Sequence, residues 1–61
     1  MLAVERRKQI LEQVHKDKKV IVSELSKQFR VSEETIRRDL EKLAEDGHVI
    51  KSYGGAVINE I

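Results

Sequence analysis

The sequence predicts a mainly α-helical fold that ends in a small β-hairpin. Three observations carry that prediction. Apolar residues recur at helical spacing in three separate segments; a serine followed by two glutamates, Ser32-Glu33-Glu34, opens the third; and a glycine pair, Gly54-Gly55, divides two apolar-rich runs near the C-terminus. At 61 residues without cysteine, the chain has room for a single domain (1–61) with a thin core and no disulfide frame.

In residues 3–16, Ala3, Arg7, Ile10, Leu11 and Val14 fall within one stripe, while Glu5, Lys8, Glu12 and Lys16 point the other way, as in an amphipathic helix. The following run "DKKVIVSE" has three consecutive β-branched residues, enough for a short strand or extended segment and too few for an independent sheet, and reads as a connector with buried valines. A second, short helix holds Leu25 and Phe29 at i, i+4, with Ser23 as its expected N-cap or a start one or two residues earlier.

After the tight turn "FRVS", Ser32 is the expected cap of a third helix whose first turn carries Glu33 and Glu34, where carboxylates favour the positive end of the helix dipole. Ile36, Leu40 and Leu43 face it to the core, Ala44 lies at the stripe's edge, and Gly47 is placed to end it in a left-handed conformation after roughly 14 residues. "HVIKSYGGAVIN" then reads as a hairpin with Gly54-Gly55 as a two-residue type I′ turn. Three helices, a tight turn between the second and third, and a terminal hairpin make a winged helix-turn-helix, its two-helix unit spanning about residues 20–39.

Composition narrows the function. Net charge is only +1, and the isoelectric point near 8.1 falls short of the strongly basic value expected of a nucleic-acid module, so charge alone does not argue for DNA. Geometry has to. Two histidines, His15 and His48, cannot hold a metal by themselves, and no nucleophile-base pair or carboxylate dyad suggests an enzyme, so no cofactor is expected. No apolar run approaches a membrane span and the N-terminus does not resemble a signal peptide, which predicts a cytoplasmic protein with no membrane partner.

Laid out at about 100° per residue from Ile36, Leu40 and Leu43 sit near ~40° and ~340°, whereas Glu41, Glu34 and Arg38 sit near ~140°, ~160° and ~200°. Arg38 therefore faces away from the core, and Arg37, near ~100°, lies on the flank. In helix-turn-helix proteins the second helix of the pair presents its N-terminal half to the major groove. Residues 32–41 are the expected reading edge: Arg37 and Arg38 are matched to guanine O6 and N7, and the hydroxyls of Ser32 and Thr35 suit phosphate. Glu34 is expected either to read cytosine or to keep an arginine oriented, and the exposed Glu41 lies at the end of the same edge. In the wing, Lys51, Ser52 and Tyr53 precede Gly54 and Gly55, whose backbone can approach a phosphate closely. The plainer role for the glycines is the turn itself, with Tyr53 covering the core. Arg6, near the start of the first helix, is a further candidate for the DNA backbone, while Arg7 lies on the apolar stripe and is placed to lay its stem over the core.

The run "VSEETIRRDLEKLAEDGHVIKSYGGA" resembles the signature of the DeoR family of bacterial transcription regulators, and "ERRKQIL" and the V-x-V-x-E-L of residues 20–25 fit the same N-terminal domain, a likeness covering about residues 3–58. The resemblance implies a DNA-binding domain that recognises a double-stranded DNA operator, mostly in repressors of sugar metabolism. It also implies a larger C-terminal domain, absent here, that senses a phosphorylated sugar and makes the whole protein a homo-oligomer. On that expectation the chain is an excised module that binds a half-site weakly. Thr35, Arg37, Arg38, Tyr53, Gly54 and Gly55 match motif positions. Tyr53 stands where the family commonly has histidine. Arg30 stands where it commonly has a small residue in the interhelical turn, at a cost of about 1 kcal/mol if the conformation there is left-handed. The competing class is a winged-helix protein-interaction module docking through the acidic C-terminal half of the third helix.

Overall fold

Residues 1–60 are described by a computed structural model, in which six elements follow one another: α1 (Ala3–Asp17), β1 (Lys19–Ile21), α2 (Val22–Phe29), α3 (Glu33–Glu45), β2 (Val49–Ser52) and β3 (Gly55–Ile58). The last position of the predicted chain, Ile61, lies outside the described residues. Three helices and a β2–β3 hairpin make the winged helix-turn-helix that the periodicity predicts.

Each helix end has a local cause. The Glu5 carboxylate accepts the Leu2 N–H at 3.0 Å, satisfying one of the donors left over at the start of α1. α1 stops where Lys18 turns left-handed (φ 70°) and its N–H reaches back to the Val14 carbonyl at 2.8 Å. Ser32 caps α3 as expected, its Oγ accepting the Thr35 N–H at 3.1 Å. At the other end Gly47 (φ 82°) is left-handed; its N–H bonds the Ala44 carbonyl and that of His48 the Leu43 carbonyl, at 3.0 and 2.9 Å, a Schellman motif. Arg30 does take the left-handed conformation (φ 56°, ψ 44°) that the interhelical turn requires.

Three local expectations need correction. Ser23 is not the cap of α2: the helix takes the earlier start that the sequence also allows, at Val22, with Ile21 at the cap position and no side chain capping it. In its place, the Val22 N–H donates to the Gly54 carbonyl at 2.8 Å, so the start of α2 is satisfied by the tip of the hairpin. The short strand expected in this run forms at Lys19–Ile21, with Val22 already in α2; it pairs antiparallel with β3, giving a three-stranded sheet of order β1-β3-β2 in which β3 supplies the partner that so short a strand lacks by itself.

The hairpin turn is Tyr53-Gly54 rather than Gly54-Gly55, since Ser52 pairs with Gly55. Of those two turn residues only Gly54 has positive φ (76°), the requirement of a type II turn and not of type I′. Gly55 belongs to the sheet. It is buried opposite Ile21, and a Cβ built on it would lie 2.0 Å from the Val20 carbonyl oxygen. Its hydrogen atom is what lets β1 approach β3.

The core forms where the three helices meet the sheet. Ile10 and Val14 of α1, Leu25 of α2, and Ile36 and Leu40 of α3 are completely or almost completely buried, joined by Val20, Val22, Leu43, Val49 and Ala56. Each of the larger side chains contributes on the order of 2 kcal/mol by leaving water. The face of α3 that carries Ile36, Leu40 and Leu43 is thereby committed to the interior, which leaves its opposite face to solvent.

Candidate nucleic-acid interface

The outward face of α3 carries both arginines into solvent. The Arg37 side chain is 54% exposed and that of Arg38 76%, on a helix whose other face is locked to the core. Their surroundings are acidic. An Arg37 Nη2 hydrogen bond reaches Glu33 Oε1 at 3.0 Å and its Nη1 lies 3.9 Å from Glu34 Oε1; Arg38 Nε lies 3.4 Å from Glu34 Oε2. Each arginine thus pairs with the glutamate one helical turn before it, the favoured orientation for such pairs on a helix. Exposed pairs of this kind are worth about 0.2–1 kcal/mol apiece, enough to bias a rotamer and easily exchanged for another anion.

Glu41 does not pair forward with Arg37. Its Oε1 accepts Lys51 Nζ at 3.5 Å, a contact that links α3 to strand β2. An open cleft lies there, lined by Arg37 and Glu41 of α3, by Lys51, Gly54 and Gly55 of the wing, and by Ile21 and Ser23 around the start of α2. The wing and the leading half of α3 therefore flank one groove. Arg38 stands outside it, on the most exposed part of the helix.

Other predicted residues fall into place around this groove. Ser32 and Thr35 are occupied with each other: Ser32 Oγ accepts from the Thr35 backbone and donates to Thr35 Oγ1 at 3.0 Å, which positions the helix start. Ser52 and Tyr53 are exposed at the wing, and Tyr53 is wholly in solvent, so it does not cover the core. Gly54 offers an open backbone at the tip, with nothing within 4 Å of the space a Cβ would take.

Two predicted contacts have structural roles instead. Gly55 is buried against β1, where its missing side chain lets the strands approach, and its backbone forms part of the cleft floor beside Gly54. Arg6 is used internally: its Nε bonds Asp39 Oδ2 and its Nη2 bonds Asp39 Oδ1 at 3.1 Å, with the two side chains only 11% and 3% exposed. Arg7 Nη1 adds a longer contact to Asp39 Oδ1 at 3.5 Å. The hydrogen bond to Asp39 raises the proton affinity of the Arg6 guanidinium above its ordinary high value, and the negative charge of Asp39 helps, against the opposing pull of burial. Arg6 stays charged wherever the protein folds.

Asp39 is the residue that inspection of the sequence passed over. It is the one charged side chain buried among the described residues. The signal was present: at i+3 from Ile36 it sits near ~300°, inside the apolar stripe of α3, just as Arg7 sits inside the stripe of α1. A carboxylate on one buried stripe and guanidinium groups on another are a pair waiting for the helices to cross.

Among the described residues, no helix is long and apolar enough to cross a membrane, and no group of three His, Cys, Asp or Glu side chains is arranged to hold a metal ion.

Comparison with known proteins agrees with this architecture. Residues 6–61 match the model of the DeoR-like helix-turn-helix domain. The chain is 53% identical over 57 residues to the HTH-type transcriptional regulator YulB of Bacillus subtilis, across 93% of this chain and 22% of that protein. It is 47% identical over 51 residues to the L-fucose operon activator of Haemophilus influenzae (84% of this chain, 20% of that protein), and 40% identical over 58 residues to the glycerol-3-phosphate regulon repressor of Escherichia coli (95% and 23%). The chain thus spans about a fifth of the length of these relatives. No solved structure matches it. An exposed reading helix beside a hairpin wing, and a family match along nearly the whole chain, lead to one assignment: the chain belongs to the DeoR-like helix-turn-helix family and is a DNA-binding domain of transcription regulation.

Proposed function

We propose that α3 enters the major groove of an operator, with Arg38 and then Arg37 at base edges, while Lys51, Ser52, Tyr53 and Gly54 of the wing and the hydroxyls of Ser32 and Thr35 meet the phosphate backbone. One observation carries the reading: two guanidinium groups project from the leading half of a helix whose other face is sealed into the core, next to a wing that shares its groove. The same elements leave Arg6 and Gly55 with structural work.

The 1–61 unit is then the reading head of a longer regulator. Relatives bear the names of an operon activator for L-fucose and a regulon repressor for glycerol-3-phosphate, which supports a role in sugar or polyol metabolism, repression being the commoner outcome. In that reading a further domain binds a phosphorylated sugar and holds two or more copies together in the bacterial cytoplasm, so that paired heads engage paired half-sites.

In-vitro selection of duplexes bound by the 61-residue chain tests the reading. It predicts enrichment of a short half-site containing guanine, with affinity falling log-linearly as salt rises. Failure to bind any duplex at low salt would instead support docking on a protein partner through Glu41, Glu45 and Asp46.

A further inference from the structure

We infer that Glu34 sets the sequence discrimination of the reading helix, by bracing Arg38 and by opposing contact with DNA that lacks its target base. The inference rests on the reading of α3 given above. Its starting point is that the two arginines are held by different nitrogens. Arg37 faces carboxylates with its terminal nitrogens, Nη2 hydrogen-bonded to Glu33 at 3.0 Å and Nη1 at a longer ion-pair distance of 3.9 Å from Glu34. Arg38 faces Glu34 with Nε instead, an ion-pair contact at 3.4 Å from Glu34 Oε2 that leaves both terminal nitrogens open.

That difference matters for guanine. An arginine forks onto O6 and N7 with two N–H groups at once, and a guanidinium pinned at Nε still offers its terminal pair. Arg38 is therefore poised for bidentate contact while it keeps its brace. Arg37 turns its terminal nitrogens towards carboxylates, so presenting both of them to a base means giving up the hydrogen bond to Glu33. The two arginines, adjacent in sequence and both exposed, are not equivalent.

Charge completes the argument. Glu34 lies between the arginines on the outward face, so a phosphate brought to either of them also meets its carboxylate. On random duplex the arginines find only phosphates, and exchanging one anion for another gains little while Glu34 repels the backbone. On the target, the guanine fork adds hydrogen bonds without asking Arg38 to leave Glu34. Discrimination comes from an interaction that penalises the wrong partner as well as one that rewards the right one.

The test uses the 61-residue chain and compares the duplex obtained by selection with a random duplex of equal length, at one salt concentration. Glu34→Gln keeps an acceptor for Arg38 and removes the charge. Glu45→Gln removes the same charge from the far, exposed end of α3 and serves as the control. We expect E34Q to bind random duplex about two- to thirtyfold more tightly, the range that two exposed ion pairs convert to. Its affinity for the selected duplex should change by less than about twofold, so that the ratio between the two falls, whereas E45Q leaves the ratio unchanged. Loss of affinity by E34Q on the selected duplex alone would make Glu34 a base reader and overturn the inference. Equal effects of E34Q and E45Q would reduce it to bulk charge and overturn it as well. Arg38→Ala separates this from the underlying reading: if R38A leaves the ratio intact, Arg38 does not read a base and the assignment of α3 itself fails, whatever Glu34 does. Circular dichroism of each variant confirms that α3 is still formed.

Discussion

Arg6 and Asp39, 33 positions apart, form a two-pronged ion pair that ties the first turn of α1 to the middle of α3. Asp39 directly follows Arg38, so the contact that fixes this stretch of the helix is one residue away from the side chain proposed to meet the DNA. The buried anchor and the outward arginine share one turn.

Removing one partner leaves the other charge buried without compensation. Asp39→Ala, which strands Arg6 and partly Arg7, is expected to cost about 3–5 kcal/mol. In a domain this small that is a large share of the total stability, and urea denaturation should find much of the variant unfolded. Replacing both residues by apolar ones, Arg6→Met with Asp39→Leu, should recover most of the loss, because the desolvation of two charges is then avoided. A double variant as unstable as the single one would show that the pair does more than compensate its own burial.

The pair should be insensitive to alkaline titration across the working range. Arg6 has its proton affinity raised in the folded state, so its stabilising contribution is fully present below the ordinary arginine value and is lost only as pH climbs through the higher folded one. Denaturation midpoints taken from neutral to mildly alkaline pH should therefore show no decline attributable to this contact. A steep decline there would mean that the guanidinium is not held as described.

The two wing glycines should respond differently to alanine. Gly55→Ala drives a methyl group to 2.0 Å from the Val20 backbone oxygen, which cannot swing aside, and the sheet must open at an expected cost of 1–3 kcal/mol or about that. Gly54→Ala meets open space and pays only for a positive φ, about 1 kcal/mol. Thermal unfolding of both variants checks the order; loss of the β1–β3 amide protection in G55A alone would locate the damage.

Arg38→Ala should weaken binding to the selected duplex by about 1–3 kcal/mol and relax preference at one base pair, as expected of a bidentate reader. Lys51→Ala should weaken every duplex alike and shallow the salt dependence by about one counterion. Fluorescence anisotropy on single-position duplex variants distinguishes the two patterns.

Arg30→Gly should stabilise the free domain by up to about 1 kcal/mol, since glycine adopts the left-handed conformation of the interhelical turn without the Cβ penalty that arginine bears. An equal or lower denaturation midpoint would mean that the arginine stem contributes packing that offsets its strain.

Much of this molecule follows from local rules acting on neighbouring residues. Helical spacing in residues 3–16 and 33–45 determines which faces are buried, Ser32 and Gly47 determine where α3 begins and ends, and the same spacing turns Arg38 outward, because each of these depends on contacts within one or two turns. The tertiary structure decided the rest. Lys19–Ile21 is held as a strand only because β3 lies alongside it, Gly55 became a structural glycine only because Val20 closed on it, and the turn moved back to Tyr53-Gly54 because the pairing of Ser52 with Gly55 sets the register. Arg6 passed from a candidate DNA contact to an anchor because Asp39, 33 positions along the chain, lies where the helices cross. Strand pairing and buried ion pairs need two distant segments at once, and local periodicity describes only one of them.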